Sequence, residues 1–463
     1  MNSKIVFALV ALFSATAWAV EKTAYTLTRT TNATVIIRFT NNFPIPNGVS
    51  TLEGLTNRRW AVLQNFFTTQ NIGSVELPLP TGYTNYRLRS MSVIPGNAFP
   101  RLALAYGNIT TVAGTGPVPA GTNLWRPEYE GAIATNVPLS SPRSAVADEA
   151  GNIYVVEPST HSVLVIARTN GRIYTAIGQL GQRTNGNIIL PSGDPSFPAV
   201  TPPPSDDPYS FSFAVLNRPT GLYYSRGILY VLDSGNARIV KYRDGQVSKL
   251  FVAAGIGTAA SFENGGSLWV SGDEQEAFFT DGTLLKHWKA KDLQNGAGGV
   301  SIEAAGLANL SDVKVDPRGR TIVADEGDNR LYRVRGPDRD FRQDIQAGTG
   351  QTVGRYVGDA RKAAIFGPSS IAYLPIGGYF ISTDAGARVW YVDIDGSIAP
   401  FIFGRAPTAK KAGAHAGDGQ WFRRGGRIPK VSNVESISVA PNGDLILLEG
   451  GYVRKIQFLR ARP

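Results

Sequence analysis

The sequence predicts an all-β chain: a ring of repeated four-stranded antiparallel sheets, a six-bladed β-propeller, preceded by a smaller β-sandwich. Three observations predict it. The 463 residues are 43% hydrophobic and only 18% charged, which is apolar surface enough for a large core. The 51 glycines and 29 prolines are scattered between short apolar runs, as tight turns between strands require and a helical bundle does not tolerate. One pattern also recurs: a short strand, a Gly-bearing turn, a strand rich in β-branched or aromatic residues, an acidic turn, a third strand, and usually an Asp-Gly or Asn-Gly turn into a fourth.

At the N-terminus, Lys4, the apolar run Ile5 to Phe13 and Ala17-Trp18-Ala19 form the pattern of a secretory signal peptide over residues 1–19, with cleavage after Ala19. The run is shorter than the roughly 20 apolar residues of a spanning helix, and no later stretch is long enough. An exported protein is expected, secreted or held in the periplasm or cell envelope, and the style of the cleavage site suggests a bacterial source. With no cysteine in the chain, disulfides, thiolate metal ligands and a cysteine nucleophile are excluded. Residues 20–98 read as the β-sandwich, with strands at Tyr25 to Arg29, Val35 to Phe39, Trp60 to Leu63, Ser74 to Leu77 and Tyr86 to Ser92. Residues 99–463 are the propeller, interrupted at 181–216 by a polar, proline-rich excursion that carries 202-PPP-204.

Six copies of the pattern align, at 144–178, 220–251, 260–288, 311–334, 370–404 and 434–458. Their first turns are expected at Gly151, Gly227, Gly265, Gly319, Gly377 and Gly443, and third turns at Asn170-Gly171, Asp244-Gly245, Asp281-Gly282 and Asp395-Gly396. Glycine, asparagine and aspartate recur there because two-residue hairpin loops need positive φ. A lone meander has two faces to cover, and radial stacking hides both. The last copy supplies only three strands, whereas 107-GNITTVAG-114 resembles a fourth strand such as 171-GRIYTAIG-178. That segment is expected to complete the sixth sheet and remove the open edge. Leu102 to Tyr106 just before it reads as an extra strand or a linker.

The segments 231-VLDSGNARIVKY-242, 323-VADEGDNRLYRV-334 and 383-TDAGARVWYV-392 resemble NHL repeats, and the loops 347–372 and 113–121 resemble the Gly-rich inserts of bacterial NHL-repeat proteins. The resemblance spans residues 107 to 460 and implies a six-bladed propeller of the bacterial secreted type. It leaves function open, since one fold hosts many activities. Copy three departs with Gly272 where the acid should stand, and copy six with Gly450-Gly451-Tyr452 in place of the polar turn.

In a four-stranded blade, the second turn and the connection to the next blade lie at the same end. Glu157, Asp233, Asp325, Asp384 and Glu449 are expected there at equivalent positions. They could bind a cation or perform acid/base work around the channel. Alternatively each acid accepts backbone N–H groups of its own turn and pairs with an arginine farther along, such as Asp233 with Arg238 or Asp384 with Arg388. The inserts are less symmetric. Arg126 and Arg143, then Arg355, Arg361 and Lys362, then Trp421, Arg423, Arg424 and Arg427 should crowd one sector of that end, with Tyr356 and Phe422 between them. Cations with aromatic planes suit an acidic, sugar-like ligand or a protein partner, although a solvated basic face has the same composition. A net charge of +10 favours anionic partners, and export argues against nucleic acid.

Secreted peptide-amidating lyases resemble this kind of propeller and bind zinc through three histidines near the channel. Of His161, His287 and His415, the first falls on a second turn and the third in an insert, while His287 falls on an outer strand, so a shared site is not expected. No G-x-S-x-G, H-E-x-x-H or phosphate-cradling motif is present. The leading expectation is an exported, non-catalytic binding or scaffold protein without a cofactor, recognising a protein or an anionic polysaccharide on the insert-bearing face. The alternative is a metal-assisted lyase or hydrolase at the channel mouth, amidating-lyase-like or lactonase-like, using zinc or calcium held by His161, His415, Glu157, Asp233, Asp325 and Asp384.

Overall fold

The computed structural model describes residues 23–30, 34–43, 47–78, 82–92, 102–103, 105–118, 124–140, 142–178, 183–184, 187–188, 209–210, 216–243, 246–252, 265–290, 299–337, 340–354, 356–384, 387–403 and 431–459. The expected signal peptide lies outside the described residues. Within them the chain is all-β and built from small antiparallel sheets of propeller type.

The first of the repeated sheets is Ser144–Ala147, Ile153–Glu157, Ser162–Ile166 and Ile173–Ile177, a meander in which sheet order follows chain order. The next four begin at Pro219–Ser225, Gly265–Val270, Leu310–Val315 and Pro368–Tyr373, and the last at Val434–Val439. These six first strands touch one another in a closed cycle, the last meeting the first. Side-chain hydroxyls stitch the cycle together. Ser311 Oγ donates to Pro368 O at 2.7 Å, Ser369 Oγ to Val434 O at 2.5 Å and Ser438 Oγ to Ala145 O at 2.8 Å.

The core is a succession of apolar layers, one between each pair of adjacent sheets. Val156 and Val163 meet Leu229 and Val231, Leu232 meets Leu268 and Phe279, Phe278 and Leu285 meet Val313 and Val323, and Ile322 meets Ile371 and Trp390. Second strands therefore bury both faces, which is why Ile228–Asp233 and Leu445–Glu449 read as unbroken apolar runs rather than as alternation.

The strand Tyr106–Ala113 pairs antiparallel with Tyr452–Phe458, placing Ile109 opposite Ile456 and Ala113 opposite Val453, as expected from the 107–114 segment. The contact is close enough that a Cβ on Gly114, at φ 91°, would lie 2.1 Å from Gly451 O. Leu102, Ala103 and Ala105 ahead of this strand are buried and helical rather than an extra strand, and the Tyr106 ring sits edge-on to Phe401 at 5.3 Å and to Phe458 at 5.1 Å.

The third copy needs correction. Gly265 lies in a strand and not in a first turn, and Asp281-Gly282 forms the second turn rather than the third, because Gly265 pairs with Asp281 as Pro219 pairs with Asp233. Asp281 is thus the missing acid of this copy, and Gly272 belongs to its first turn. Of the 181–216 excursion, Arg183–Thr184 pairs with Asn187–Ile188, and Tyr209–Ser210 adds to the outer strand Gln246–Val252.

Before the ring stand two three-stranded sheets. Thr23–Arg29, Thr34–Asn41 and Ile72–Pro78 form one, and Arg59–Thr68, Gly48–Thr56 and Asn85–Ser92 the other. Val35, Ile37, Phe39, Leu52, Phe66 and Leu88 pack between them. The central strand Gly48–Thr56 is absent from the sequence reading because it is buried almost throughout and shows no alternation. Its outer face docks on the ring: Val49 and Met91 share a core with Leu374, Ile376, Phe380 and Phe458, and Asn65 Nδ2 donates to Phe458 O at 2.9 Å. The docking covers first turns of the fifth and sixth sheets, so the second-turn end faces away from it.

Candidate functional site

At the second-turn end, most acids are consumed by the fold. Glu157 accepts the Ser140 N–H at 3.0 Å, Asp233 accepts from Asn217 N at 2.6 Å, and Asp325 accepts from Ala308 N at 2.8 Å and Asn309 N at 2.9 Å. Glu449 accepts from Ser432 N at 2.5 Å. Each carboxylate therefore pins the connection entering its own sheet. The side chain five residues on completes the device in three sheets, with Arg238 on Asp233 at 2.7 Å, Lys286 on Asp281 at 2.6 Å and Arg454 on Glu449 at 2.9 Å. Burial raises the Asp233 carboxyl, against the pull of Arg238 and its hydrogen bonds. Repetition in this form is a turn device.

Asp384 does not belong to that set. Pro368 pairs with Thr383, so Thr383 occupies the fifth sheet's equivalent of Asp233, and its hydroxyl bonds the Arg388 backbone instead. Asp384 is one residue further, at the offset of Glu326 in the fourth sheet and of Pro158, Ser234, Gly282 and Gly450 in the others. The expected pairing partner Arg388 lays its guanidinium 4.5 Å over the Tyr356 ring.

A second ring of positions lies at the start of the first strands, where the register slips at a bulge. In the sixth sheet the slip falls at Glu435, between Val434 and Ser436. The same offset holds Arg143, Thr220, Ser311 and Ser369, with Gly266 in the third sheet's longer bulge. Of all these positions, only Arg143, Glu326, Asp384 and Glu435 are charged, and they come from four consecutive sheets around the cycle. At the same offsets the second and third sheets carry Thr220, Ser234, Gly266 and Gly282, none of them charged.

These charges act on one another. Burial raises Glu435 to about 7; the neighbouring Asp384 charge adds to the rise and Arg143 opposes it. Burial also raises Asp384, with Arg143 opposing. Glu326 is raised by burial and by Asp384, again against Arg143. Three carboxylates thus share one arginine in a partly dry mouth. In this arrangement Glu435 holds its proton near neutrality, and the group favours an added positive charge. Sequence reasoning named Arg143 and Asp384 but missed Glu326 and Glu435. The available signal was the departure of Glu435 from the hydroxyl residues at its offset in the second, fourth and fifth copies.

The remaining sequence candidates are scattered. Arg126 is exposed and lies 3.9 Å from Glu128, and Arg361 is exposed and bound to Asp359 at 3.1 Å, so each basic group has an acid two residues away. Lys362 is exposed beside it. Arg355, Trp421, Arg423, Arg424, Arg427 and His415 lie outside the described residues. His161 caps a turn at φ 54° and its Nδ1 accepts from Arg218 N at 3.1 Å. His287 is buried on a third strand, stacked on Phe278 at 4.0 Å with Nδ1 3.1 Å from Glu303. Among the described residues no three His, Cys, Asp or Glu side chains are grouped to hold a metal ion, and no helix is long and apolar enough to cross a membrane.

The NHL repeat matches residues 216–242, the stretch that contains the Asp233 turn, the Asn217 N–H it accepts and the Arg238 it pairs with. The chain carries an NHL repeat there. The chain is similar to a structural genomics protein of unknown function from Bacteroides thetaiotaomicron, at 11% identity over 91% of this chain and 94% of that one with a TM-score of 0.53. An auxiliary nutrient binding protein from the same species is 10% identical over 92% and 94% at a TM-score of 0.47. Virginiamycin B lyase from Staphylococcus aureus is 10% identical over 68% and 94% at 0.39. At 11% identity the likeness to the first of these concerns the fold alone. No curated protein matches this chain.

Proposed function

We propose that the chain is an exported binding protein: a signal peptide over residues 1–19, a small β-sandwich over 20–98, and a six-bladed NHL-type propeller over 99–463 with an excursion at 181–216. The partner docks on the end that carries the second turns and inserts, and the β-sandwich leaves that end uncovered. One observation carries the reading. Around the mouth the fold repeats itself except at Arg143, Glu326, Asp384 and Glu435, and a binding site must break the symmetry that turn devices obey.

The two partner classes expected from the sequence are not equally supported. An anionic polysaccharide would need the insert cations, yet Arg126 and Arg361 already lie beside acids of their own loops. Raised carboxylates are stabilised by a cation, so a protein segment presenting lysine or arginine is the better fit. Calorimetric titration with oligolysine and with oligogalacturonate at pH 6 and pH 8 tests this. The cationic peptide should bind several-fold more tightly at pH 8, where Glu435 is ionised, and a D384N/E435Q variant should lose that gain. Absence of oligolysine binding at both pH values refutes the reading.

A second reading rests on Glu435 alone. A carboxylate at about 7 is placed to move protons at neutral pH, as a lyase or hydrolase would require. The metal-assisted form needs zinc or calcium ligands that converge, and it predicts metal retained stoichiometrically through gel filtration.

A further inference from the structure

On the outer face of the sheet formed by Arg59–Thr68, Gly48–Thr56 and Asn85–Ser92, the docked half stops short of the sheet's end. Asn65 and Met91 touch the ring, whereas Trp60, Val62 and Arg87 continue past it on the same face. Glu53 sits there with its side chain 0% exposed, and one of its oxygens, Oε2, receives two guanidinium groups: Arg87 Nε at 2.5 Å and Arg89 Nε at 3.0 Å. Arg87 also lies 4.1 Å over the Trp60 ring.

One carboxylate neutralises one guanidinium, so this group carries an excess positive charge held at a fixed place. Both arginines spend Nε on Glu53, and among the described residues their terminal nitrogens have no hydrogen-bond partner. Their side chains remain 27% and 37% exposed, so these forks face water. The shared oxygen keeps the two cations closer than free arginines would stand, and the Trp60 stack orders one of them. Guanidinium forks match the oxygens of a carboxylate or phosphate two at a time, and ordering beforehand lowers the cost of binding.

We propose that Arg87 and Arg89, ordered by Glu53 and Trp60, form an oxyanion site on the N-terminal domain, separate from the propeller mouth. An incoming carboxylate or phosphate neutralises the excess charge and engages both forks, with Glu53 as the positioning residue behind them. The test titrates the full chain calorimetrically at constant ionic strength with trigalacturonate, with inorganic phosphate, and with neutral maltotriose. Binding of trigalacturonate assigns the site to carboxylates, and binding of phosphate assigns it to phosphates; either supports the proposal when maltotriose does not bind. An R87K/R89K variant keeps both charges beside Glu53 but removes the forks. Its affinity should fall about tenfold or more with an unchanged unfolding midpoint. The proposal is overturned if neither anion binds in the millimolar range, if maltotriose binds equally well, or if the lysine variant binds as tightly as the parent. The D384N/E435Q variant should leave this binding intact, which separates failure here from failure at the mouth.

Discussion

Replacing Glu435 by glutamine probes the mouth without emptying it. Glutamine keeps the shape of the side chain and can still accept from the Gly450 N–H that now bonds the carboxylate. The glutamate ionises near its ordinary 4.5 in the unfolded chain and at about 7 in the folded one. The folded state therefore holds the proton more tightly, and the parent loses stability as pH climbs from the first value through the second. At roughly 1.4 kcal/mol per pKa unit, the whole loss is about 3 kcal/mol. E435Q cannot titrate. The two proteins should be affected alike near pH 4, and the variant should gain on the parent by about 3 kcal/mol by pH 8. Urea unfolding at half-unit steps between pH 4 and pH 8.5 measures the difference directly. Parallel stability curves would refute the reasoning, as would a parent that gains relative to E435Q with rising pH. Adding D384N removes a neighbouring negative charge, so it should move the midpoint of the effect to lower pH.

Two further perturbations test how the ring is held. Arg454→Met leaves Glu449 buried without its cation, since both side chains are 0% exposed, and should cost about 3–5 kcal/mol in urea unfolding. Asp312→Ala removes the acceptor that binds Ile371 N at 2.6 Å and Ser370 Oγ at 2.9 Å across the boundary between the fourth and fifth sheets. It also leaves Lys314 without its 2.5 Å partner. A loss of roughly 2–5 kcal/mol is expected, with the amides of Ser370 and Ile371 exchanging faster.

The repeat was legible because turn chemistry and apolar runs recur at fixed offsets, and the closing strand because 107-GNITTVAG-114 copies an outer strand elsewhere. The third copy misled because an Asp-Gly pair serves either hairpin turn; only the pairing of Gly265 with Asp281 shows which. Gly48–Thr56 was invisible since burial on both faces erases the period of two. The mouth was half legible. Acids at second turns were found, but one residue separates Thr383, which holds its turn, from Asp384, which faces the mouth. That distinction depends on register. Glu326 and Glu435 gain their meaning only where turns and bulges of different sheets meet, a proximity that sequence spacing does not contain. The pairing of Arg87 and Arg89 over Glu53 likewise needs the register of two strands more than thirty residues apart.

Every assignment to the mouth depends on the ring being sealed by Tyr106–Ala113. Thr110 stands opposite Lys455 across that junction, and the chain has no cysteine of its own, so a T110C/K455C variant reports on one pair only. Facing residues of antiparallel strands lie about 4.5–5.5 Å apart between Cα atoms, within reach of a disulfide. Mild oxidation should close an intramolecular disulfide in nearly all molecules, seen as a loss of two hydrogen atoms by intact mass and recovered as a single cross-linked peptide after proteolysis. Thiols that stay free, or that link only separate molecules, would contradict the sealed ring.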